Sequence, residues 1–95
     1  MQINYTENAF SSLIQLINYI ESTNTRGAGV RWLNRYELFL KKKLYKPDLI
    51  KICHNLTFSK LELRCIYFND WVIAFSVYED SVLIEALLHK SRISD

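Results

Sequence analysis

Between residues 7 and 22 the apolar positions recur at a helical interval: Ala9, Leu13, Leu16 and Ile20 form one stripe, widened by Phe10, Ile14 and Ile17. Thr6 stands where an N-cap belongs, and Glu7 places a carboxylate in the first turn, where the helix dipole favours it. The run Ser22-Thr23-Asn24-Thr25 with Gly27 breaks the pattern, and Thr25 is a candidate cap for a second helix. That helix spans about 28–44, with Trp32, Leu33, Tyr36, Phe39, Leu40 and Leu44 on one side and Arg31, Arg35 and Lys42 on the other. Lys41-Lys42-Lys43 suits its C-terminus, and Lys46-Pro47 ends it. The short turn between the two predicts an antiparallel helical hairpin.

The rest of the chain changes period. Residues 61–68, 71–78 and 82–88 are rich in Val, Ile, Phe, Tyr and Trp and read as strands. Residues 2–5 alternate as a short first strand, and a weaker one is expected within 49–57. Side chains alternate across a strand, so one face is expected to carry Leu61, Leu63, Cys65, Tyr67, Trp71, Ile73, Phe75, Val77, Val82, Ile84, Ala86 and Leu88. The other carries Glu62, Arg64, Ser76, Tyr78, Glu85 and His89, diluted by Ile66, Phe68, Val72 and Leu87. A two-residue turn at Glu79-Asp80 keeps the apolar face in register, setting Phe75 against Ile84 and Ile73 against Ala86. The same turn at Asn69-Asp70 would set Arg64 against Phe75. A three-residue loop at 68–70, pairing Cys65 with Ile73, is therefore expected. The predicted fold is α+β in the order β-α-α-β-β-β, a single domain over residues 1–95. Its antiparallel sheet carries the helical hairpin on the apolar face and leaves the mixed face open.

Composition changes this picture little. Hydrophobic residues make up 49% and charged residues 23% of 95 positions, enough for one modest core. No apolar run approaches the roughly 20 residues of a membrane span, and the N-terminus lacks the layout of a signal peptide. No membrane partner is expected, and the cytoplasm is the expected location. Cys53 and Cys65 form no CxxC pair, so reduced thiols rather than a disulfide framework are expected. A net charge of +2 argues against binding nucleic acid mainly by phosphate neutralisation. Basic residues nevertheless crowd between Arg26 and Lys51. Arg31, Arg35 and Lys42 thus offer a local basic binding face, beside the plainer reading of a solvated helix side.

Alternation also gathers candidate chemistry. Glu62, Arg64, Glu85 and His89 would share the mixed face, with Arg92 close behind. A carboxylate, an imidazole and guanidiniums are the parts of metal-independent phosphodiester cleavage: one group takes a proton, another returns one, and arginine holds the phosphate. Cross-strand ion pairs on a solvated face, worth about a few tenths of a kcal/mol each, are the competing reading. Cys53, His54, Cys65 and His89 match no zinc spacing, and there is no Gly-rich phosphate loop, GxSxG or HExxH. Neither a metal nor a cofactor is expected. Trp32 and Trp71 read as core anchors.

The element order, the opening "INYTENA" and the closing "LRCIYFNDWVIAFSVYEDSVLIEALLHKSR" together resemble the RelE/ParE superfamily of bacterial toxins from type II toxin–antitoxin systems. The likeness covers almost the whole chain: Thr6 and Ala9 lead into the first helix, Arg64 opens a strand, and the last strand ends in His89 with Arg92 close after it. The resemblance implies a growth-inhibiting, plasmid-stabilising toxin neutralised by a cognate antitoxin laid along the hairpin and sheet. It also implies one of two mechanisms. ParE-type members bind and poison DNA gyrase; RelE-type members cleave mRNA on the ribosome. Here Lys90 rather than Tyr follows His89, no Tyr comes later, the charge is low and the hairpin is long, so the ParE-like mechanism is favoured. A nuclease would rest on His89 and Glu62 as acid and base, with Arg64 and Arg92 on phosphate. A degenerate member kept for antitoxin binding is the third expectation.

Overall fold

The computed structural model describes residues 2–93 and places them in the predicted order. β1 (Gln2–Tyr5) leads to α1 (Glu7–Thr23) and α2 (Ala28–Lys43). A 3-10 turn at Pro47–Leu49 and a short α3 (Leu56–Lys60) precede β2 (Arg64–Phe68), β3 (Trp71–Val77) and β4 (Ser81–His89), and a second 3-10 turn follows at Lys90–Arg92. The architecture is α+β, a four-stranded sheet in the order β1-β4-β3-β2 with α1 and α2 packed on one face. β1 runs parallel to β4 and the other neighbours are antiparallel, so the sheet is mixed rather than wholly antiparallel. Among the described residues no helix is long and apolar enough to cross a membrane.

Local chemistry explains the hairpin. The Thr6 hydroxyl oxygen accepts the Ala9 N–H at 3.1 Å and starts α1. Ala9, Leu13 and Leu16 are buried with Trp32, Tyr36, Leu40 and Leu44 of the second helix and its end. Thr25 does not cap α2. Gly27 is the N-cap, in the left-handed conformation at φ 84°, and the cap comes from α1 instead: the Glu21 carboxylate accepts the N–H groups of Gly27 at 2.8 Å and Gly29 at 2.9 Å. An acid on one helix thus satisfies donors that the next helix leaves free. Gly29 also lets the two helices come close, since a Cβ there would lie 2.8 Å from the Ile17 carbonyl oxygen.

In the sheet, the β3–β4 hairpin turns at Glu79-Asp80 as expected: the Tyr78 N–H donates to the Ser81 carbonyl at 2.8 Å, and Phe75 pairs with Ile84. A bulge then leaves Glu85 unpaired, because the next pair is Ala74 with Ala86. Beyond it the faces of β4 exchange. Ile73 meets Leu87 rather than Ala86; Leu87 enters the helix-side core at 3% exposed, and Ala86 packs on the reverse.

The β2–β3 loop departs further. Asn69 takes φ 54°, a left-handed conformation that Asn tolerates, and Asn69-Asp70 form a two-residue turn in place of the expected three-residue loop. Arg64 therefore pairs with Phe75, and Ile66 with Ile73. The whole of β2 is inverted from its expected facing. Ile66 and Phe68 point to the helices, where the Phe68 ring lies 5.7 Å from Trp32, 6.0 Å from Tyr36 and 4.9 Å from Phe39. Cys65 and Tyr67 lie on the reverse.

That reverse face is not fully open. Ile52 bridges Arg64, the Cys53 N–H donates to the Leu63 carbonyl at 2.9 Å, and the Cys65 N–H donates to the Lys51 carbonyl at 3.4 Å. The weak strand expected within 49–57 reduces to this bridge. The chain continues as α3 and returns through Glu62, left-handed at φ 58°. Cys53, Leu63 and Ala74 make a small second core, with Phe58, Cys65 and Ala86 against it. Cys53 and Cys65 are disulfide-bonded, their Cα atoms 4.9 Å apart, which corrects the expectation of free thiols. Backbone pairing beside β2 is what brings the two sulfurs together.

Candidate functional site

β1 pairs with β4 only as far as Ile84, so the outer edge of β4 from Ala86 to His89 has no strand neighbour among the described residues. α1 flanks that edge, and the two enclose a groove of about 710 Å³. Ser12, Gln15 and Tyr19, spaced along one flank of α1, border it together with Trp71, His89, Ser91 and Arg92. His89 is held from two sides. Its ring stands edge-on to Trp71, with centroids 5.2 Å apart and planes at 86°. Its Nδ1 accepts the Ser91 N–H at 3.2 Å and lies 2.8 Å from the Ser91 hydroxyl. A backbone N–H only donates, so Nδ1 is the acceptor; in the neutral ring the proton then sits on Nε2 and the hydroxyl donates to Nδ1. The result is an imidazole aligned on a hydroxyl, with the Arg92 guanidinium bordering the same groove. The same contacts also cap the Lys90–Arg92 turn. Among the described residues no carboxylate borders the groove, so the imidazole has no acidic partner there.

The surface expected to unite Glu62, Arg64, Glu85 and His89 is not formed. His89 and Arg92 do meet at one groove, on the helix side of the sheet, because the bulge reverses β4 before its end. Arg64 is four residues from Phe68, the partner of Trp71, and so about 13 Å of strand from the His89 end. Its guanidinium donates to the Ile50 carbonyl, tying the 50–53 segment to β2. Glu62 is exposed in the turn before β2, and Glu85 is the half-buried bulge residue. Arg31, Arg35 and Lys42 are exposed on α2, and Arg31 braces the interhelical turn through Thr25 and the Arg26 carbonyl. Among the described residues no three His, Cys, Asp or Glu side chains gather to hold a metal, and the disulfide engages both sulfurs.

A second groove, of about 510 Å³, lies between α1, α2 and β1. Tyr5, Phe10, Ile14 and Leu33 line it, with Glu37 and Lys41 at its polar side. Phe10 is 53% and Ile14 41% exposed. These two residues widened the α1 stripe beyond what the core takes up. The Tyr5 hydroxyl pairs with that of buried Tyr36 at 2.9 Å, and burial raises the pKa of both phenols, that of Tyr36 far more.

Sequence reasoning missed Ser12, Gln15 and Tyr19. Their signal was the recurrence of polar and aromatic residues beside Leu16 at helical spacing, which becomes meaningful only once β4 is known to end against α1. No protein-family model matches the chain, and a search of curated proteins finds no match.

Proposed function

We propose that this protein is the toxin of a type II toxin–antitoxin, plasmid-stabilisation system, of the ParE-like kind, inhibiting growth in the cytoplasm by binding a cellular target such as DNA gyrase. The observation that carries this reading is the apolar groove between α1, α2 and β1, where Phe10 and Ile14 stay exposed beside Tyr5 and Leu33. A cognate antitoxin supplies the cover: an apolar segment along the hairpin, its register set by Glu37 and Lys41. The dispersal of Glu62, Arg64 and His89 favours binding over catalysis, since these groups do not reach one phosphate together.

A ribosome-dependent mRNA endonuclease is the second reading. It is favoured by the His89–Ser91 pair and Arg92 bordering one groove with Tyr19 and Trp71, rings on which a base can stack. Inducing the protein without its antitoxin separates the readings. DNA breaks with an SOS response support the gyrase target. Prompt loss of translation with ribosome-phased mRNA cuts, abolished by His89→Ala, replaces it with the nuclease. No growth effect leaves a degenerate antitoxin-binding member. In the groove, Ile14→Asp should abolish neutralisation by co-expressed antitoxin while toxicity persists; retained neutralisation would remove the antitoxin from this surface.

A further inference from the structure

The segment over the reverse face of β2 and β3 has few buried side chains; beside its covalent bond, the Ile52–Arg64 bridge and the hydrogen bonds at Ile50, Lys51 and Cys53 tie its start to Leu63 and β2. α3 has no buried residue, and the apolar anchor is Cys53, Leu63 and Ala74 with Phe58 beside them. The Cys53–Cys65 bond closes a loop around the whole segment. Its two residues differ in exposure. Cys53 is 4% exposed, whereas Cys65 is half-buried and borders a small groove of about 200 Å³ walled by His54, Phe58, Tyr67, Val72 and Lys90. Lys90, whose side chain is 65% exposed and whose ammonium lies 3.1 Å from the Asp70 carboxylate, also borders that groove.

We propose that Cys65 is a thiol-exchange site, at which a thiolate entering this groove opens the Cys53–Cys65 bond and frees residues 53–61 from the sheet. The thiolate attacks the Cys65 sulfur and forms a mixed disulfide, while Cys53 leaves as a thiolate and takes a proton from water. The second thiol of the same reductant loses its proton and displaces the Cys65 sulfur. A dithiol thereby gives up two electrons and two protons and departs as its own disulfide. Release uncovers Val72 and Ala74, now 3% and 0% exposed. Lys90, which borders this groove, belongs to the same turn as Ser91 and Arg92, which border the larger one. None of this depends on the protein being a toxin.

The test uses the full-length oxidised protein without denaturant. It is treated with dithiothreitol or with reduced glutathione and followed by intact mass and peptide-resolved hydrogen exchange. Reduction should add the mass of two hydrogens and speed exchange across residues 51–65 by about tenfold or more, with α1, β3 and β4 unchanged. Glutathione should be trapped on Cys65. The Cys53→Ser variant should show the reduced exchange pattern with no reductant present. A bond that resists both thiols, glutathione trapped on Cys53, unchanged exchange in 51–65, or faster exchange throughout the chain would each overturn the proposal.

Discussion

Towards α1 and α2 the sheet presents Ile66, Ile73, Phe75, Val82, Ile84 and Leu87, all buried, and the helices interlock with them through Leu13, Leu16, Trp32, Tyr36 and Leu40. On its reverse it offers Leu63 and Ala74 to Cys53, and a covalent bond completes the closure. The helix side is held by area, each fully buried large side chain contributing about 1.5–3 kcal/mol. Ordering a loop residue costs about 1–2 kcal/mol, more than a three-residue cluster returns for a whole segment. The cross-link confines that segment even when it is undocked. Two faces of one sheet can therefore differ in how independently they open.

The strongest way to break this comparison is on the helix side. Phe75→Ala empties a site that is 0% exposed and should cost about 3–5 kcal/mol, shifting the whole urea transition. Leu63→Ala on the reverse should cost about 2 kcal/mol and show as faster exchange in residues 51–63, with the fluorescence transition reported by Trp32 and Trp71 nearly held. If Leu63→Ala shifts both signals equally, the two faces are one cooperative core and the distinction falls. Gly29→Ala should cost about 1–3 kcal/mol in the same titration, because its Cβ would press on the Ile17 carbonyl; exchange in the cap should stay as it is.

The smallest effect is a pH dependence confined to the helix side. The N–H groups of Gly27, and after it Gly29, hold the Glu21 carboxyl below the usual carboxylate range. Its folded pKa lies below the unfolded one, so between the two the unfolded chain binds the extra proton. The contribution is complete above the unfolded value and drains away as pH falls through the folded one. Glu21→Gln should lower the melting temperature slightly at neutral pH and leave a shallower decline into acid; an unaltered acid limb would mean the charge itself does not matter.

Both long helices and the order of the elements along the chain were legible, because the helical apolar residues recur at one period only. β2 was not, since both of its parities carry apolar residues: Leu63, Cys65 and Tyr67 on one, Ile66 and Phe68 on the other. Counting favoured the first. The turn decided for the second, because Asn69 can adopt a left-handed backbone and close the hairpin in two residues. Arg64 is then carried to the helix-side register, bonded to the Ile50 carbonyl instead of facing an open surface. The disulfide depends on spatial proximity that the spacing of Cys53 and Cys65 does not reveal. The pairing of His89 with Arg92 was legible because both lie beyond the strand's apolar run; the face they occupy was not.

At Glu85 the strand holds one residue more than its ladder needs. Removing this one residue would shorten nothing visible. It would restore strict alternation in β4, yet Ala86 would keep the reverse face and Leu87 and His89 the helix side, because Ala74 with Ala86 and Ile73 with Leu87 are already the partners of an unbulged ladder. A lineage that lost the bulge codon would therefore keep its strand order, its hairpin and the side of its terminal turn, whereas Glu85 drawn into the ladder without that loss would carry His89 to the reverse face.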